Sequence, residues 1–212
     1  MIPTAITDYL ERHRANYAVF SHPTAYTAQE EAAASHVPGR EWAKTVVCIA
    51  DDQPILAVVP APLTVDLNRL KKTAHARSIR LAHEREFGSL YADCELGAMP
   101  PLGPLFGQRV FVDKQLTTDP DVTFAAGSHH DAIRMPYRDF EQLVHPAVAE
   151  FAGGRLRSSQ ARITAVIDPV CGSSIRAERT VEKSRHRGET YYFCSLSCKM
   201  EFDDNPDAYA TK

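Results

Sequence analysis

Lys44-Thr45-Val46-Val47-Cys48-Ile49-Ala50, then Asp51-Asp52-Gln53-Pro54, then Ile55-Leu56-Ala57-Val58-Val59 is the stretch on which the fold turns. Two β-branched apolar runs flank a short polar, turn-forming segment, which predicts a β-hairpin. On its N-terminal side, Tyr17-Ala18-Val19-Phe20 reads as a strand ending at Ser21-His22-Pro23. Thr27-Ala28-Gln29-Glu30 is a capping box, in which Thr27 accepts from the backbone and Glu30 reaches back, so an alanine-rich helix over residues 28–35 follows. Ala5, Ile6 and Leu10 place a short amphipathic helix over residues 3–13. On the C-terminal side, helices are predicted over 66–73, 84–91 and 137–144, and short strands over 109–112, 122–125 and 132–135. Helices and strands mix without strict βαβ alternation, so the fold class is α+β, an irregular α/β arrangement.

A hydrophobic content of 44% is ample for a buried core, and no apolar run approaches the ~18 residues of a membrane span. The N-terminus lacks the basic start and apolar stretch of a secretory signal. The five cysteines are odd in number, three clustered and two (Cys48 and Cys94) isolated, which argues against a disulfide framework and for a reducing, cytoplasmic setting. Net charge is −3, so the chain as a whole does not announce a nucleic-acid binder. Charge is unevenly spread, however: Arg69, Lys71, Lys72, Arg77, Arg80 and Arg85 form a basic segment with His75 and His83 interleaved. Either a solvated helix face or a phosphate-contacting surface accounts for it.

The remaining three cysteines sit in Asp168-Pro169-Val170-Cys171-Gly172 and Tyr191-Tyr192-Phe193-Cys194-Ser195-Leu196-Ser197-Cys198. Cys194 and Cys198 at i, i+4 share one helix face, and Cys171 on a strand or turn would complete a trigonal thiolate set. Thiolates are polarizable donors that select zinc, cuprous copper or similar ions. Three partly buried thiols in an aromatic core of Tyr191, Tyr192, Phe193, Phe202 and Tyr209 is the alternative. The small, basic stretch from Gly153 to Gln160 reads as a linker, which divides the chain into residues 1–152, a linker at 153–165 and a module at 166–212.

Four segments of the first domain carry a resemblance. They are His22-Pro23 with Tyr26-Thr27-Ala28-Gln29-Glu30; Ala43-Lys44-Thr45-Val46-Val47; Glu95-Leu96-Gly97-Ala98-Met99-Pro100-Pro101-Leu102-Gly103 leading into Phe106-Gly107; and Ala126-Gly127-Ser128-His129 leading into Ile133-Arg134-Met135. In this order the chain resembles the YbaK / prolyl-tRNA synthetase-associated family of aminoacyl-tRNA deacylases. The resemblance implies a curved mixed sheet wrapped by helices, with the 3′ acceptor end of aminoacyl-tRNA as partner and no cofactor required. It implies Lys44 at the pocket mouth on the terminal phosphate or adenosine, and His22, Tyr26, Thr27 and Gly103 along the substrate. It also implies Gly127, Ser128 and His129 as the catalytic loop, with backbone N–H groups facing the oxyanion and a water assisted by the substrate's own ribose hydroxyl. His129 is open to two readings, a general base or a residue shaping the pocket. A triad of Ser128, His129 and Asp131 is excluded on geometry, since loop neighbours do not face one another in that way. Arg69, Lys71 and Lys72 are candidates for the acceptor stem.

Residues 166–210 resemble a YHS domain, related to the TRASH class of metal-binding modules, and Cys171, Cys194 and Cys198 would be its zinc or copper ligands. Ser173 stands where a methionine is common in that family, which weakens a thioether, copper-like site. Two functions are therefore expected: a trans-editing hydrolase of mischarged aminoacyl-tRNA with an appended YHS module, or a non-catalytic protein that binds or senses a thiophilic metal through the three cysteines.

Overall fold

The structure, a computed structural model, describes residues 2–155, 165–167, 169–170, 174–176, 182–187, 189–193 and 196–209. The chain separates into two compact units, residues 1–156 and 157–212. In chain order the first unit comprises α1 (Thr4–Arg12), β1 (Ala18–Ser21), α2 (Ala28–Ala34), β2 (Ala43–Ala50), β3 (Gln53–Pro60), β4 (Leu63–Val65), α3 (Leu67–Thr73), β5 (Ile79–Leu81) and α4 (Glu84–Phe87). It continues with β6 (Arg109–Asp113), β7 (Asp121–Ala125), β8 (Asp131–Pro136), α5 (Tyr137–Val144), β9 (Ala147–Ala149) and β10 (Ala152–Arg155).

The predicted hairpin is the centre of a five-stranded mixed sheet, ordered β5-β2-β3-β6-β9. β2 pairs antiparallel with β3 and β5, while β3–β6 and β6–β9 are parallel. Asp51 and Asp52 turn the hairpin with φ of 46° and 66°, the left-handed pair that matches the twist of the flanking strands. Side chains of β3 alternate between two cores. Leu56 and Val58 join Val47, Val110 and Val112 under α1 and α5; Ile55, Ala57 and Val59 join Cys48, Phe111, Leu70 and Phe151 on the other face. The two helices reach the first core through Ile6, Tyr9 and Leu10, and through Tyr137, Phe140, Leu143 and Val144, each set spaced for one helical stripe.

A second sheet, β1-β8-β7, is antiparallel throughout. It meets the first at a parallel bridge between Trp42 and Thr123, where Thr123 N–H also donates to Glu41 O at 2.9 Å. From that bridge β2 and β7 run in the same direction, toward Lys44 and toward the 126–130 loop respectively.

Two sequence expectations change. Residues 84–91 are not one helix: α4 ends at Phe87 and residues 88–91 continue as a 3₁₀ turn. Gly153, Gly154 and Arg155, read as the start of a linker, form β10, which pairs with β4. Asp113 explains why: its buried carboxylate accepts from Phe151 N–H at 2.8 Å and Ala152 N–H at 2.6 Å, tying the chain down where composition suggested release.

The second unit holds two antiparallel pairs, β11 (Ala165–Ile167) with β12 (Ser174–Arg176) and β13 (Glu182–His186) with β14 (Glu189–Phe193), followed by α6 (Leu196–Asp204) and α7 (Pro206–Tyr209). Phe202 on α6 is its buried centre, with the rings of Tyr191, Phe193 and Tyr209 at 4.8, 5.1 and 6.5 Å. Among the described residues, no helix is long and apolar enough to cross a membrane.

Candidate active site

Two loops, residues 95–98 and 126–129, are clipped together by reciprocal bonds. Glu95 N–H donates to Gly127 O at 2.9 Å, and Gly127 N–H donates to Ala98 O at 3.0 Å. The Glu95 carboxylate accepts from His129 N–H at 2.8 Å, and the His129 ring donates from Nε2 to Leu96 O at 2.9 Å. Both glycines are required by geometry. Gly97 has φ +95°, and a Cβ there would lie 3.3 Å from the His129 ring; Gly127 has φ +91°, and a Cβ there would sit 2.7 Å from Pro3.

His129 itself is buried. The Tyr26 ring lies tilted against its ring, centroids 5.1 Å apart, and Nδ1 faces Glu31 Oε1 at 3.5 Å. Glu31 lies on the inner side of α2 and is only 3% exposed. Burial pushes its carboxyl up, opposed by His129, by His22 and by the Trp42 indole N–H. His22, also buried, donates from Nδ1 to Pro23 O at 2.9 Å and meets Trp42 edge-on at 5.7 Å.

Lys44 is half-buried at the start of β2. Its ammonium donates to Ala61 O at 3.3 Å and to Leu63 O, carbonyls at the end of β3 and the start of β4. Burial draws its pKa below that of a free lysine. An ammonium has three donors, so two are spent on fixing its position and one is left for a ligand.

The sequence profile of the aminoacyl-tRNA editing domain matches residues 22–143, the span that holds both loops, Lys44, Glu31 and His129. The chain belongs to the aminoacyl-tRNA editing domain family. A YHS profile matches residues 166–212. The editing domain is 26% identical over 142 residues to a proline--tRNA ligase of Gloeobacter violaceus, an alignment covering 64% of this chain and 24% of the ligase. Its fold is shared with a crystal structure of a candidate trans-editing enzyme for prolyl tRNA synthetase, at TM-score 0.63 and 22% identity, over 73% of this chain and 100% of that one. It is shared too with hypothetical protein APE2540, at TM-score 0.63 and 20% identity, over 70% of this chain and 99% of that one.

Within the editing domain, several of the expected site residues are engaged inside the fold. Gly127 and His129 spend their backbone N–H groups on the loop–loop clip, so neither is an oxyanion donor in this arrangement. Ser128 is buried, and its hydroxyl donates to Asp131 at 2.9 Å and accepts from Asp131 N–H at 3.1 Å, a local staple. His129 has Nε2 on the Leu96 carbonyl and Nδ1 against the Glu31 carboxyl. Gly103 packs rather than binds: a Cβ there would lie 2.3 Å from Val110 and 2.5 Å from Gln108 O. Thr27 caps α2, accepting from Glu30 N–H at 3.2 Å, while the Glu30 carboxylate takes Tyr26 N–H instead of the cap residue's own. His22 is buried against Trp42, while Tyr26 is largely exposed.

The basic segment is partly neutralised. Arg80 forms a two-pronged pair with Glu86, both contacts at 2.7 Å, and Arg69 lies 3.5 Å from Asp66. Lys71 and Lys72, in the last turn of α3, make no ion pair among the described residues.

Glu31 and Glu95 escaped the sequence reading. The signal for Glu31 was its place next to the capping glutamate: with Thr27 fixed as cap and Glu30 outward, the next residue turns into the core. No local pattern marks Glu95, whose partners lie over thirty residues away.

In the YHS module, Cys198 is half-buried on α6, and Cys171 and Cys194 lie outside the described residues. Among the described residues, no three His, Cys, Asp or Glu side chains converge as a metal site. His186 is held by Asp207 at 2.9 Å through Nε2.

Proposed function

We propose that the editing domain hydrolyses, in trans, the ester joining a mischarged amino acid to the 3′ end of tRNA. The match of the aminoacyl-tRNA editing profile to residues 22–143 carries this reading. In the reaction, water adds to the ester carbonyl, the tetrahedral oxyanion collapses, and the ribose oxygen leaves with a proton. The side chains support a route in which no protein nucleophile takes part. Ser128 is locked on Asp131, and burial pushes the thiols of Cys48 and Cys94 up to about 12 and about 11. Lys44 anchors the terminal phosphate or adenosine with its remaining donor, and the clipped loops form the rigid wall against which the ester is placed. Lys71 and Lys72 supply cationic contacts to the acceptor stem.

The test is a deacylation panel of mischarged tRNAs with the purified full chain. Hydrolysis of one or a few pairs, lost in Lys44→Ala, is the expected result; a panel no faster than the spontaneous rate overturns the reading.

A second reading has its own support in the YHS match at residues 166–212: the module binds a thiophilic ion through Cys171, Cys194 and Cys198. Three thiolates suit zinc or cuprous copper, and such an ion would contribute folding energy to a unit this small. Metal analysis of the wild type and of the triple Cys→Ser variant checks it, with stoichiometric metal expected in the first and none in the second.

A further inference from the structure

We propose that Glu31 is a positioning residue for the editing site, fixing the ring and tautomer of His129 and, through that ring, the wall formed by the 95–98 and 126–129 loops. Its effect on turnover rests on the deacylase reading; its hold on His129 does not.

The argument starts from donors and acceptors. Leu96 O, 2.9 Å from His129 Nε2, can only accept, so Nε2 carries a proton. In a neutral imidazole Nδ1 then presents a lone pair, and what it faces, at 3.5 Å, is a carboxyl oxygen. A lone pair against a carboxylate is repulsive, so the arrangement requires one proton between the two groups, on Nδ1 or on Glu31. Neither Nδ1 nor Glu31 Oε1 has a hydrogen-bond partner among the described residues, and both are buried; the polar atom recorded against Nδ1 is Glu31 Oε1, at 3.5 Å.

The groups facing the pair are His22, whose Nδ1 is engaged with Pro23 O and whose Nε2 is buried without a hydrogen-bond partner among the described residues; Trp42, whose indole acts on the Glu31 carboxyl; Tyr26, tilted against the imidazole; and Glu95, bound to the His129 N–H. Among the described residues no lysine or arginine pairs with Glu31, so the carboxyl is kept for the histidine. A short helix, α2, thereby controls a ring that bonds to Leu96 O and stands 3.3 Å from where a side chain at Gly97 would begin.

Ring-nitrogen NMR of the full chain labelled with ¹⁵N-histidine tests the placement, His129 being assigned with His129→Gln. In the wild type Nε2 should appear protonated and Nδ1 shifted by the shared proton. Glu31→Gln should keep Nε2 protonated while Nδ1 becomes a plain acceptor of the amide N–H, and Glu31→Ala should let the two nitrogens average. His129 nitrogen signals identical in the wild type and Glu31→Ala overturn the proposal, as does a wild-type ring protonated only on Nδ1. In deacylation, Glu31→Ala should lose about 10²-fold in kcat with little change in KM, and Glu31→Gln should recover most of it. Loss in KM alone would also overturn the role. If no mischarged tRNA is hydrolysed, the deacylase reading fails, and the nitrogen spectra still decide whether Glu31 holds His129.

Discussion

At Lys44 a charged side chain is held by two backbone carbonyls, so replacing it has two separable effects. Lys44→Ala should reduce deacylation by about 10²-fold, the scale of losing one preorganised donor in an enclosed site. It should also cost about 1–3 kcal/mol in urea unfolding, because Ala61 O and Leu63 O lose their partner. The glycines divide by cause. Gly103→Ala, with no unusual φ to preserve, forces Val110 and the Gln108 backbone apart and should destabilise by about 1–3 kcal/mol, measured the same way. The free thiols give a third check. With their ionisation pushed up to about 12 and about 11, Cys48 and Cys94 should stay unalkylated by iodoacetamide at pH 8 in the native protein and react once it is unfolded. Alkylation of Cys94 at the native stage would show that the 95–98 loop opens.

Elements with a local cause were legible in the sequence: α2 from its Thr27 cap, the β2–β3 hairpin from its paired apolar runs, α5 from the stripe Tyr137, Phe140, Leu143, Val144. What was missed depends on contacts distant in sequence. β9 and β10 are three and four residues long and exist because β6, β4 and Asp113 pair with them. The same holds for the site, where Lys44 and the Gly127 loop were found by motif but the amides' true partners were not. β5 and α4 owe their mutual placement to Arg80 and Glu86. The guanidinium and the His83 N–H hold the Glu86 carboxyl down to about 2, against 4.5 for a free one. A depressed folded-state value stabilises fully above about pH 4.5 and is lost as the pH falls toward 2. The difference in thermal midpoint between wild type and Glu86→Gln should therefore be largest at neutral pH and low salt, and vanish across that acid window. Because the pair is exposed, its size should be modest.

For the whole molecule, the division near residue 156 means that the first unit carries its own core and its own edge strand. Fragment 1–156 should unfold in a single transition, whereas fragment 1–152, cut where composition alone would place a boundary, loses the rest of β10 and its bonds to β4, Thr64 Oγ1 to Gly153 O among them. It should be less stable by about 1–3 kcal/mol. Equal stability would mean that β10 adds nothing to the fold. Trp42, finally, is the single tryptophan of the chain, and it is fully buried with His22 at its edge and Glu31 at its N–H. The protein thus contains one indole fluorophore, seated beside the carboxyl that orients His129. Its emission reports on that cluster. A change of quenching when tRNA is added would be light from the editing site and from nowhere else in the chain.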